Sequence, residues 1–288
     1  MATILVNDLA SQGVTVLPKD IAESDDDYQE RVRKQYFNYH IRLVKAIPRI
    51  LHRSDIFNCP IELESGLIEI ERKILSGESL KPHLSTRIQD LNYQDDMLSD
   101  WGIYHLHLGT NILPNGFVNR TGPLLYARFD NENAYLINIY PHQNWTKQDM
   151  IRVLHSNWPD SIANYRLNDV IGLSHVPTDD EVALGRKHHI NMGLEIEPGV
   201  VYTNIGGGMA TDGTSISVTM GMIQTFRIIR EYEKIINEHI NVIDEKAKAN
   251  GYNSEEYSFQ LFLDENRELH VLELNSNIVI RVGYKLNT

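Results

Sequence analysis

Residues 101–109 read Trp101-Gly102-Ile103-Tyr104-His105-Leu106-His107-Leu108-Gly109, and their alternation decides the fold. Successive side chains of a strand point to opposite faces, so Ile103, His105 and His107 share one face and Tyr104, Leu106 and Leu108 the other. Two further strands are predicted over 122–129 and 134–140. The polar connection Asp130-Asn131-Glu132-Asn133 between them has hairpin length. A small antiparallel sheet therefore occupies the middle of the chain.

On the N-terminal side, a polar lead-in ends in Glu23-Ser24-Asp25-Asp26-Asp27, an acidic first turn suited to a helix dipole. Val32, Tyr36, Tyr39, Leu43, Ile47 and Ile50 recur every three or four residues, which predicts a helix over 28–54 with a kink or break near Ala46 ahead of Pro48. A second helix is expected over 60–75, stopped by Ser76-Gly77.

On the C-terminal side, Thr146 with Asp149 and Thr178 with Glu181 have the spacing of capping boxes opening two more helices. Strands about the turn Glu197-Pro198-Gly199 follow. A long helix is expected over 217–250 with Met220, Ile223, Phe226, Ile229, Tyr232, Ile236 and Ile240 as its apolar stripe. A terminal hairpin turns about 264–267. The fold class read from this order is α+β: N-terminal helices on a small antiparallel sheet, over 1–160, then a second α+β region with a long helix and hairpins, over 161–288.

With 42% hydrophobic and 23% charged residues, the chain has material for a sizeable core. Its single cysteine, Cys59, leaves no internal disulfide or all-cysteine zinc site. No apolar run has membrane-spanning length, so a cytoplasmic protein without a membrane partner is expected. The net charge of −12 argues against a broad cationic face for coating nucleic acid. Residues 101–160, with four basic and four acidic side chains, are the least repulsive place for a polyanion. They carry His105, His107, His142 and His155.

From the second helix to Trp145, about a third of the chain, the order of parts resembles the RelE/ParE-like ribonuclease toxins of the barnase–EndoU–colicin–RelE class. The resemblance rests on Leu80-Lys81-Pro82-His83-Leu84 as connector, Tyr104 to Gly109 as a strand ending in aliphatic-Gly, and Arg120 in the following loop. Leu124-Leu125-Tyr126 and the strand from Tyr135 to His142 complete it. It implies a metal-independent, cofactor-free RNA endonuclease toxin that turns the 2′-hydroxyl on the adjacent phosphorus, with mRNA, at the ribosome, as substrate and an antitoxin protein as partner. Such chemistry needs a base, a cation for the phosphorane and an acid for the leaving oxygen. His105 and His107 suit proton transfer, Arg120 the phosphate, Tyr126 the 2′-hydroxyl or a base, and His142 the acid. Where family members often use Lys and Arg, this sequence has histidines.

Other readings stay open on the same residues. His105 and His107 could be a half-buried structural pair, or with Asp95, Asp96 or Asp100 could hold a metal in a hydrolase. The long C-terminal helix could form a homo-oligomer contact in a non-catalytic assembly protein. Residues 206–213, rich in glycine, form either an anion nest or, more simply, a tight turn.

Overall fold

The computed structural model describes residues 1–142, 146–252, 256–264 and 268–285. The chain is an α+β protein. In order it runs α1 (Ala2–Ser11), α2 (Asp25–Ile41), β1 (Ile50–Arg53), α3 (Glu64–Ser76), α4 (Asp96–Trp101), β2 (Tyr104–His107), β3 (Pro123–Phe129), β4 (Asn133–Pro141), α5 (Asp149–Asn157) and α6 (Asp179–Lys187). It continues through β5 (Leu194–Glu197), β6 (Val200–Tyr202), α7 (Ile216–Glu238), α8 (Ile240–Ala249), β7 (Phe259–Leu263), β8 (Glu268–Glu273) and β9 (Ile278–Lys285). No helix among the described residues is long and apolar enough to cross a membrane.

Contacts divide the chain into two compact units, Ile41–Ser217 and Met1–His40 with Val218–Thr288. This differs from the division expected at residue 160. Val182 of α6 and Leu194, Ile196 and Tyr202 of the β5–β6 hairpin lie in one core with Tyr126, Ile137 and Leu154, so a cut at 160 would pass through a continuous apolar layer.

In the unit Ile41–Ser217 the sheet order is β1-β4-β3-β2. Strands β2, β3 and β4 are antiparallel, as expected, while β1 adds a parallel edge beside β4. That strand occupies part of the helix expected over 28–54. The helix ends at Ile41, and beyond Pro48, which lacks an N–H, the backbone pairs sideways instead. Ile50 N donates to Glu132 O at 2.8 Å and Ser54 N to Leu136 O at 3.1 Å. On one sheet face, Leu67, Ile70 and Ile74 of α3 pack on Leu106, Leu108, Leu125 and Leu136. Gly66 permits this: a Cβ there would lie 1.8 Å from Leu108 O. Helix α3 stops where expected, at Gly77, in the left-handed region at φ 75°.

The other face carries Ile103, Leu124, Tyr126 and Ile137 under Met150, Ile151 and Leu154 of α5 and the β5–β6 hairpin. The alternation predicted for β2 is thus present. The Thr178–Glu181 capping box opens α6 as expected. The one expected at Thr146 is absent: α5 starts at Asp149 with Gln148 as N-cap, and Gln148 N donates to Asp179 Oδ1 at 3.2 Å. The expected match ends at Trp145, which lies outside the described residues.

In the other unit the first part of the lead-in, Ala2–Ser11, is helical, with Leu5 and Leu9 buried. The long helix is broken at His239, whose backbone leaves the helical region and whose N–H and Nδ1 both lie 3.0 Å from Ile235 O. Its buried face is also turned from the expected stripe: Val218, Gly221, Thr225, Ile228 and Tyr232 are buried, whereas Met220, Ile223 and Phe226 are exposed. Small residues let Phe37 of α2 come close, with 2.6 Å between its ring and a Cβ built on Gly221. Strands β7, β8 and β9 form an antiparallel sheet. Residues 265–267 of the expected turn lie outside the described residues.

Candidate functional site

Strand β2 is an edge strand, and His105 and His107 project from it opposite Tyr126 and Leu124 of β3. Beyond the cover of α5, this face opens into a cavity of about 650 Å³. Its wall includes His105, His107, Arg120 and His142, so four of the five expected site residues converge. Tyr126 does not join them. It shares the face of His105 but is fully buried in the core, its ring 5.8 Å from that of Tyr140, because α5 and the β5–β6 hairpin cover that part of the sheet.

The end of β2 is held from two sides. His83 Nδ1 donates to His107 O at 2.9 Å, and Leu108 N donates to Thr121 Oγ1 at 3.1 Å. Thr121 N in turn donates to His107 Nδ1 at 3.3 Å. A ring nitrogen that accepts an N–H carries no proton, so the His107 ring proton sits on Nε2. Burial, with Arg120, His105 and His142 nearby, pushes the His107 pKa down to about 4. This imidazole is neutral at neutral pH and acts as an N–H donor. The His142 ring follows directly after β4, its centroid 6.2 Å from that of His107.

Arg120 is exposed at the cavity rim, and its backbone lies between two anchored residues. Asn119 exchanges backbone and side-chain hydrogen bonds with Asn111, at 2.9 and 3.0 Å, and Thr121 makes the contacts above. Asp95 bridges fold and site. Its Oδ1 caps α4 by accepting Leu98 N at 3.0 Å, and its Oδ2 lies 3.8 Å from His105 Nδ1. Burial lowers the His105 pKa and Asp95 opposes that shift. Burial, and then Asp95, raise the pKa of the neighbouring Asp96.

Sequence reasoning missed much of the cationic wall. Arg87, Arg186 and Lys187 line the cavity with Arg120, against Asp95 and Asp96 as the acidic side chains there. Tyr93 also lines it, with the Arg87 guanidinium 5.0 Å from its ring centre. These groups come from segments far apart in the chain, and nothing in their local spacing marks them.

No known family pattern, curated protein or solved structure matches the chain.

The donor set weighed for a metal here does not close. His107 Nδ1 is occupied by an N–H, and Asp100 is buried between Arg186, at 2.7 Å, and Asn204. Among the described residues no three ligand atoms of His, Cys, Asp or Glu side chains cluster at the cavity. In residues 206–213, Gly208 N donates to Ser99 O at 2.9 Å, and Met209 N and O bond the Asn191 amide. The tight-turn reading accounts for that loop.

Proposed function

We propose that the unit Ile41–Ser217 is a metal-independent endoribonuclease acting through 2′-hydroxyl attack on the adjacent phosphate. One observation carries this reading: three histidines and four Arg or Lys side chains line a single cavity of about 650 Å³ in a chain of net charge −12. The volume suits a nucleotide-sized group, and with Arg186 neutralised by Asp100, the positive charge of Arg87, Arg120 and Lys187 against Asp95 and Asp96 suits a phosphodiester.

In this mechanism His105, held electrostatically by Asp95, takes the proton from the 2′-hydroxyl as that oxygen attacks phosphorus. Arg120, whose fork can meet two phosphate oxygens, and Arg87 carry the charge of the phosphorane. His107 adds a neutral Nε2–H donor. His142 gives a proton to the 5′-oxygen as the P–O5′ bond breaks, leaving a 2′,3′-cyclic phosphate and a 5′-hydroxyl. Tyr126, sealed in the core, supports the strand that presents His105 and takes no part. The toxin role, the ribosome as site of action and an antitoxin partner belong to the same proposal.

The test is incubation of the purified full chain with RNA in chelator. Wild type is expected to yield cyclic-phosphate ends, and Arg120→Ala and His142→Ala each to slow cleavage roughly 10²-fold or more. Identical products and rates from wild type and both variants would remove the proposal.

A further inference from the structure

A second cluster lies in the other unit, where the ends of β7 and β8 meet. Asp264 follows β7, Glu268 opens β8, and His270 stands on β8 opposite Phe262. One ligand atom from each of Asp264, Glu268 and His270 falls within 4.8 Å of the others, the sole such group among the described residues. His270 is 3% exposed, its Nε2 lies 3.2 Å from Asp264 Oδ2, and among the described residues its Nδ1 has no hydrogen-bond partner. The β8–β9 register shifts between Leu269 and Val271, so His270 sits at an irregularity of the kind that re-aims a side chain.

We infer that Asp264, Glu268 and His270 form a binding site for a divalent transition-metal ion, zinc being the best match. Two carboxylates and an imidazole are hard-to-borderline donors of the type zinc accepts. Donors sharing a zinc ion at bond lengths of about 2.1 Å lie roughly 3.4 Å apart in a tetrahedron. The Asp264–His270 pair, at 3.2 Å, already has that spacing. A rotation of the half-buried Glu268 side chain brings in the third donor, and the fourth position is left to water. Asp264 Oδ1 also accepts the Glu268 N–H at 2.8 Å, which holds the backbones of the two carboxylate residues together. Bound metal would tie the two strand ends together and stabilise the unit by linkage.

The experiment is calorimetric titration of the chelator-stripped full chain with zinc chloride, with manganese and calcium chlorides in parallel. One zinc per chain is expected, with weaker manganese binding and no heat from calcium, for which an imidazole is a poor donor. His270→Gln and Asp264→Asn should each weaken zinc binding by about 10-fold or more, while His107→Ala, at the cavity of the other unit, leaves it unchanged. Should His270→Gln fail to fold by circular dichroism, the half-buried Asp264→Asn decides alone. The proposal is overturned if wild type takes up no zinc, if a folded His270 or Asp264 variant binds like wild type, or if the loss follows His107→Ala.

Discussion

Thr121 donates its backbone N–H to Nδ1 of His107 at 3.3 Å, and burial of this imidazole, with Arg120 nearby, lowers its pKa to about 4. Because the folded-state pKa lies below the unfolded value, near 6.5, the unfolded chain takes up the proton first as the pH falls. The stabilising contribution is complete above pH 6.5 or so and is lost progressively down to about 4. The loss should be about 2 kcal/mol once solvent at the cavity mouth is allowed for. Urea titrations at several pH values should show it, with a shallower decline for His107→Gln. Parallel declines in the two proteins would mean that other groups carry the pH dependence.

Arg186 Nε and Asp100 Oδ2 pair at 2.7 Å, both residues being buried, with the guanidinium 4.0 Å from the Trp101 ring centre. Removing one partner of such a pair strands the other charge in a medium that solvates it poorly. Asp100→Ala should therefore cost about 3–5 kcal/mol in denaturant unfolding. A loss below about 1 kcal/mol, the range of an exposed pair, would show that water reaches the guanidinium.

A Cβ on Gly66 would lie 1.8 Å from the carbonyl oxygen of Leu108. The obstacle is backbone, so α3 has to move away from the sheet, and Gly66→Ala should destabilise by about 1–3 kcal/mol. Gly122→Ala is the control: a Cβ there meets nothing within 4 Å and the backbone is not left-handed. Its effect should stay within about 0.5 kcal/mol. Equal Tm values for the two variants would show that α3 is not held this closely.

The sheet was legible wherever short-range pattern determines structure. The alternation of residues 101–109 forecast the two faces of β2, and Thr178 with Glu181 forecast the start of α6. Pattern misled where a long-range partner decides. Leu43, Ile47 and Ile50 keep helical spacing by coincidence, and only β4 makes residues 50–53 a strand. On α7 the buried face is chosen by the close approach of Phe37 to Gly221, so small residues outrank large ones. At the cavity, His105, His107, Arg120 and His142 could be nominated because they are near in sequence. Arg87 and Arg186 could not, since tertiary folding alone brings them there.

The unit formed by Met1–His40 and Val218–Thr288 is assembled from stretches on either side of Ile41–Ser217. During translation the intervening unit, which ends with the first two residues of α7, is complete before the rest of that helix exists. Helix α2, with Tyr36, Phe37 and Tyr39 fully or nearly fully buried in the finished protein, has to wait for its partner while those rings face water. Early termination within the last quarter of the chain should thus release a protein whose cavity unit is sound but whose aromatic helix is a focus for aggregation.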